Sequence, residues 1–307
     1  MAIAGYFARD PAAARAQFLR AAGAIGLAVA THRMPAAGGG VADVLAARLG
    51  SPEARRLLVL TPGSKQEDAL CATAIAVASL RERLRRSIPR GVAMILLQAD
   101  DPVRVLAPDT AQVSDEETGQ GPRWTDSVLA AAENRYADYQ RGQHAAVPSS
   151  PAEAAASGVP GAGFGRLVET EMGQAERVAV LDVTTGMGAY GQCDLVVGHP
   201  AGSPGEARAR RLFSARPLAD GSSTVAMPGP LARGIVSALS EAETTVAVLA
   251  FGTYSVRAVV HSMLGRPAEG QSAASGMFYP DAEDWKLAVW NGAAEVIRGA
   301  LIGLDGG

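Results

Sequence analysis

The sequence predicts an α/β protein: one domain with a mixed, mainly parallel sheet and helices on both faces. Three observations carry this reading. Leu57-Leu-Val-Leu-Thr61, Val92-Ala-Met-Ile-Leu-Leu97 and Thr245-Val-Ala-Val-Leu-Ala-Phe251 are continuous apolar runs without polar alternation, as in strands covered on both faces. Helical stretches separate such runs, and the β–α–β order repeats downstream, which favours parallel pairing. Apolar residues make up 48% and charged residues 19% of 307, enough to build a core and too apolar for global disorder.

Taken in order, Asp10-Pro-Ala-Ala-Ala opens a helix with Asp10 as N-cap and Pro11 in its first position. Phe18, Leu19 and Ala22 continue its apolar face. A short strand at Leu27–Thr31 precedes a Pro/Gly turn at Pro35–Gly40, and the strand at Leu57–Thr61 ends on Pro-Gly. A long helix is expected from about Glu67 to Arg86, with Arg81-Glu-Arg-Leu-Arg-Arg86 as its solvated end, then the strand at Val92. Strands at Val178–Asp182 and Leu195–Val197 come next, then helices at Gly205–Leu212 and Leu231–Leu239. The strand at Thr245, a helix over Ser255–Leu264 and a closing helix over Ala282–Leu304 complete the series. Between Pro102 and Gly165 the chain is rich in Asp, Glu, Gly, Ser and Ala, with one helical stretch at Asp126–Arg141. This reads as a loop-rich insertion within a single domain spanning 1–307, because it holds too few apolar residues for a second core.

The formal net charge of −3 leaves no electrostatic footprint for nucleic acid. No charged-then-apolar leader opens the chain and no uninterrupted run approaches membrane-spanning length, so a cytoplasmic protein without membrane contact is expected. Cys71 and Cys193 give no disulfide framework. Cys71 falls in an apolar run and reads as core, whereas Cys193 lies in a strand near the expected pocket. Gly186, Gly188 and Gly191 form a Gly-rich turn that lacks both phosphate-loop signatures. His32, His144, His199 and His261 share no metal-binding spacing, and only His199 falls near the expected pocket. Phe278-Tyr279, Trp285 and Trp290 read as packing.

Four stretches carry a family resemblance. They are Tyr6-Phe7 with the helix through Ala22; Leu58-Val-Leu-Thr-Pro-Gly63 with Cys71-Ala-Thr-Ala-Ile75; Leu181-Asp-Val-Thr-Thr-Gly-Met-Gly-Ala-Tyr-Gly191 with Gly198-His-Pro-Ala-Gly-Ser-Pro204; and Ala250-Phe-Gly-Thr253 with Phe278-Tyr-Pro-Asp-Ala-Glu-Asp-Trp-Lys-Leu-Ala-Val-Trp290. Together they resemble a bacterial branch of the zinc carboxypeptidase-like superfamily, a branch labelled as a domain of unknown function. The likeness fails only between Pro102 and about Gly165. In active members, the resemblance implies His-x-x-Glu after the first strand, a histidine in Asp-x-His-Thr-Gly, and a glutamate base before Phe-Gly-Thr. Those positions fall here on Lys65 and Asp68, Thr184, and Ala250. The substrate-clamping Asn-Arg segment is not recognisable near Asp109–Gly121.

A catalytic zinc needs three nitrogen or oxygen ligands and an open water position. A protonated lysine repels a divalent cation, a threonine hydroxyl is a poor ligand, and alanine moves no proton. The resemblance therefore implies a vestigial pocket of Lys65, Asp68, Asp182, Thr184, Thr185, Tyr190 and Ala250, with no catalytic residue, no metal and no cofactor. Asp182 is expected to orient backbone, while Thr184, Thr185 and Tyr190 would face a ligand at the mouth of the sheet. The expected function is a non-catalytic relative of a zinc carboxypeptidase or amidohydrolase, binding or regulating a protein partner such as an intact paralogue. The alternatives are an enzyme with a re-purposed metal-free pocket using Lys65, Asp68, Thr184 or Cys193, and a module binding a small amino-acid-like or peptide-like molecule.

Overall fold

The computed structural model describes residues 3–35, 41–100, 162–186, 188–200, 202–213, 218–219, 228–239, 241–255 and 277–306. In chain order these form α1 (Pro11–Gly23), β1 (Val29–Pro35), β2 (Val41–Gly50), β3 (Arg56–Pro62), α2 (Gln66–Arg81) and β4 (Val92–Ala99). There follow α3 (Ala162–Met172), β5 (Arg177–Gly186), β6 (Cys193–Val197), α4 (Pro204–Leu212) and β7 (Leu218–Ala219). The series ends with α5 (Pro230–Ala238), β8 (Glu243–Gly252) and α6 (Glu283–Asp305). The strands make one eight-stranded sheet in the order β1-β2-β4-β3-β5-β8-β6-β7. Four of its seven pairings are parallel, and the central strands β4, β3, β5 and β8 run in one direction. Their C-terminal ends therefore share an edge, to which β6 contributes its N-terminal end by running antiparallel to β8.

Strand alternation divides the core into two layers. Leu58, Leu60, Met94, Leu96, Leu181 and Leu249 pack beneath α1, α2, α4 and α6. Leu57, Val59, Ile95, Leu97, Val180 and Val246 pack on the other face beneath α3 and α5. Every second residue of a central strand thus enters a different layer, which is why these strands read as unbroken apolar runs. The anticipated α/β class, with helices on both faces, is the observed one.

Local chemistry fixes the helix ends. The Asp10 carboxylate accepts from Ala13 N at 2.8 Å with Pro11 following, so α1 starts where its cap requires. Ser203 caps α4 in the same way, accepting from Glu206 N at 3.2 Å. Helix α6 is long and apolar enough to cross a membrane by length and composition, yet Trp285, Val289, Ile297 and Leu301 are buried in the first layer.

Several boundaries depart from the sequence reading. Strand β2 was not expected, and the first strand runs on to Pro35. Helix α2 ends at Arg81 and gives way to a 3-10 turn at Arg83–Ser87, so the basic stretch straddles two elements. Helix α3 starts inside the segment read as loop. The helices expected at 126–141 and 255–264 and most of the loop-rich insertion lie outside the described residues. Cys193 packs against α6, where a Cβ on Gly292 would come within 2.7 Å of its own Cβ, and it is buried.

Candidate functional site

At the C-terminal edge of the sheet, β3 ends on Pro62, turns through Gly63-Ser64-Lys65 and enters α2. The turn is tied to β5 by a bond from Gly63 N to the Val183 carbonyl at 2.8 Å. Asp68 is the third residue of α2 and fully buried. One oxygen, Oδ2, accepts from Ser64 N and Lys65 N, each at 3.0 Å, satisfying amides that the helix start would leave open. The other, Oδ1, accepts from Thr185 N at 2.8 Å, Thr185 Oγ1 at 3.1 Å and Thr184 Oγ1 at 3.2 Å. The Lys65 ammonium lies 3.5 Å from Oδ1, donates to the Thr185 carbonyl, and sits 4.9 Å from the centroid of the Phe278 ring. Lys65, Asp68, Thr184 and Thr185 thus form one cluster that laces the N-terminus of α2 to the end of β5.

Asp182 lies two residues earlier on β5 and points into the opposite layer. Its oxygens accept from the Thr61 hydroxyl at 2.6 Å and from Gly229 N at 2.7 Å, the residue before α5. Burial pushes this carboxyl up to about 7, against the opposing pull of those two donors. These bonds join β3, β5 and α5 through one side chain. Ala250 stands in register between Thr184 and Asp194 and is buried. Tyr190 is not in the cluster: its ring packs tilted against Tyr254, centroids 5.8 Å apart, and its hydroxyl donates to Asp284 at 3.1 Å. Partial burial and that bond push its phenol up to about 12.

Packing around the turn is tight. A Cβ on Gly63 would lie 2.6 Å from Asp68 Oδ2 and 2.8 Å from the Val183 carbonyl. One on Gly229 would meet the Gly63 backbone at 2.8 Å. Thr61, Ser64 and Gly229 complete the site without having been given a role in the sequence, since the partner of Thr61 and Gly229 is distant in the chain, and Phe278, read there as packing, lies under the Lys65 ammonium. The Phe-Gly-Thr motif has a structural reason: a Cβ on Gly252 would meet the Ala189 carbonyl at 2.1 Å, and Trp285 Nε1 donates to the Gly252 carbonyl at 2.9 Å. Thr253 Oγ1 donates to the Gly186 carbonyl at 2.8 Å.

His199 is at the other edge of the sheet, against expectation. Its Nε2 accepts from Val246 N at 2.8 Å, and a Cβ on Gly205 would strike its ring. Burial, with Arg208 nearby, pushes its pKa down to about 4, so it is a neutral structural acceptor. His32 pairs with Glu171 at 2.8 Å between β1 and α3.

The donor set at Lys65, Asp68, Thr184 and Ala250 does not suit zinc. The one carboxylate is engaged by five hydrogen bonds, the threonine hydroxyl donates its proton to that carboxylate, and an ammonium faces it. Among the described residues, no three His, Cys, Asp or Glu side chains converge to hold a metal ion.

A family model described as "Protein of unknown function (DUF2817)" matches residues 7–103 and 162–292. Among solved structures, the glutaminyl cyclase of Porphyromonas gingivalis is similar at 13% identity and a TM-score of 0.45, with 99% of this chain and 94% of that one covered. A metallo-carboxypeptidase from Burkholderia cenocepacia is similar at 10% identity and a TM-score of 0.41, covering 95% of this chain and 68% of that one. A Zn-dependent exopeptidase from Parabacteroides distasonis is similar at 12% identity and 0.38, covering 96% and 94%. No curated protein matches the chain.

Proposed function

The chain belongs to the DUF2817 family, and from that premise we propose a non-catalytic relative of zinc hydrolases that acts by binding a protein partner. The observation that supports this reading is the Lys65–Asp68–Thr184–Thr185 cluster. In the family resemblance, the positions of Lys65, Asp68 and Thr184 carry metal ligands. Here they carry an ammonium held against a carboxylate with five hydrogen bonds, so the cation facing that carboxylate belongs to the protein itself. The ammonium and the five hydrogen bonds serve the junction between α2 and β5, and Ala250 replaces the general base with a methyl group. The zinc ligands and the base are lost, and the scaffold they stood on is kept. A family member from the same genome with intact His-x-x-Glu is the partner we favour, because shared architecture offers matched surfaces.

The test has two arms. Elemental analysis of the purified chain is expected to find no stoichiometric zinc, and zinc titration no saturable heat. One zinc per chain, removable only by a chelator, would refute the loss of the metal. The chain mixed with the intact relative is expected to co-elute as a complex and to change the relative's turnover or thermal midpoint. Independent elution with unchanged turnover and midpoint would refute the partner role.

A second reading, a module for a small amino-acid-like or peptide-like ligand, rests on one cleft beside this site. It has a volume of about 320 Å³ and is lined by Phe7, Arg9, Glu67, Tyr279 and Asp281, with the buried Tyr279 hydroxyl lacking a hydrogen-bond partner among the described residues. Under that reading, Tyr279→Phe weakens a dipeptide ligand by about 1 kcal/mol or more. Equal affinity by calorimetry would remove it.

A further inference from the structure

A second cleft, of about 420 Å³, opens at the opposite edge of the sheet from the Lys65 cluster. Arg177 and Glu243, at the starts of β5 and β8, line it together with Arg208 and Arg211 of α4 and with Gly303, Leu304 and Gly306 at the end of the chain's last helix. Its charge is unbalanced. Arg177 and Arg208 share a single carboxylate, Glu243, at 3.6 and 3.9 Å, beyond hydrogen-bonding distance. Arg211 has no ion-pair partner among the described residues. Neighbouring cations are already committed: Arg56 donates to the carbonyls of Leu304 and Asp305 at the end of α6, and Arg210 binds Glu206 at 2.8 Å. Three guanidinium groups against one carboxylate leave about two positive charges in the cleft, estimated by formal charge. The Nε of Arg208 is buried and has no hydrogen-bond partner among the described residues, although the same guanidinium donates to the Thr244 carbonyl at 2.9 Å.

We propose that this cleft binds a phosphate group, with Arg177, Arg208 and Arg211 as its donors. The guanidinium groups reach the cleft from a strand and from a helix, so they meet a ligand from more than one direction. A tetrahedral phosphate presents oxygens in several directions, whereas a planar carboxylate is matched by one guanidinium edge-on. Phosphate also carries a charge near −2, which matches the surplus. The cleft volume of about 420 Å³ leaves room for a small organic remainder beside Gly303, Leu304 and Gly306, so the ligand class is a small phosphate monoester. Glu243 holds two of the arginines in place and disfavours a more bulky or more highly charged anion.

Isothermal titration with inorganic phosphate, in buffer held at constant ionic strength with chloride, tests this binding site directly. Saturable binding with a Kd below about 1 mM is expected. Arg211→Gln, at an exposed position whose loss does not threaten folding, is expected to weaken it at least about tenfold, and Arg208→Gln likewise. Arg90→Gln, an exposed arginine outside the cleft, is expected to leave binding unchanged. Malonate is expected to bind at least about tenfold more weakly than phosphate. The absence of saturable heat with phosphate, undiminished affinity in Arg211→Gln, or malonate binding as tightly as phosphate would each overturn the proposal.

Discussion

Asp68 and Asp182 are both fully buried, and they differ in the number of donors around them. Asp68 has five hydrogen bonds and an ammonium; Asp182 has two hydrogen bonds, and desolvation prevails over them. Because the folded pKa of Asp182, about 7, lies above its ordinary value of 3.8, the native state binds this proton more tightly than the unfolded chain does. The group's burden on folding is therefore full above pH 7, falls as the pH drops from 7 toward 4, and vanishes below that window. From about pH 8 to about pH 5.5 this one carboxyl should add about 2 kcal/mol of stability. Asp182→Asn is expected to flatten that rise in urea unfolding midpoints, while losing about 1–3 kcal/mol because its amide cannot accept from both Thr61 and Gly229. A slope unchanged by the substitution would assign the pH dependence elsewhere. For Asp68→Ala, which strands several buried donors and the lysine, a loss of about 3–5 kcal/mol is expected in the same assay.

At the scale of elements, the turn from β3 into α2 is a tightly constrained joint at the sheet edge. Gly63→Ala would force a Cβ between Asp68 and the Val183 carbonyl, whereas Gly186→Ala meets nothing within 4 Å. The first should cost more than about 2 kcal/mol and the second less than about 0.5 kcal/mol, read from denaturant midpoints. Equal effects would mean that the turn yields easily. The same joint limits any rebuilding of a metal site. The fourfold variant Lys65→His, Asp68→Glu, Thr184→His, Ala250→Glu is expected to recover zinc binding only in part. It should recover no peptidase turnover, since the groups that orient histidine ligands contribute about 10–100-fold by themselves. Robust turnover on a peptide or amide substrate would show that the pocket is far less altered than proposed.

For the whole molecule, legibility in the sequence follows how local the determining contacts are. The central strands and α1 were readable because their apolar runs and the Asp10-Pro11 start are contiguous. Strand β2 was not, because Val41-Ala-Asp-Val-Leu-Ala-Ala-Arg-Leu49 is rich in helix-forming Ala, Leu and Arg, and its strand state is set by pairing with β1 and β4. The meeting of Lys65, Asp68 and Thr184 was legible through the family resemblance. Thr61–Asp182–Gly229 and the placement of His199 were not, since they depend on strand register and on β6 running antiparallel. The same architecture predicts a gradient in amide exchange. Helix α2 and strands β3, β4 and β5 should exchange most slowly, and β1, at the sheet edge, markedly faster. Exchange mass spectrometry showing β1 as protected as β5 would contradict it.

Both thiols lie inside the first layer, Cys71 on α2 and Cys193 on β6, and burial pushes the Cys71 thiol well above its usual range. Neither is available to an oxidant or a second chain while the layer is closed, so the folded protein should behave alike under oxidising and reducing conditions. The same seal turns the two sulfurs into clocks. A disulfide reagent can react only when α2 or β6 lifts away, and its labelling rate then measures how often the lattice of contacts beneath the Lys65 cluster comes apart.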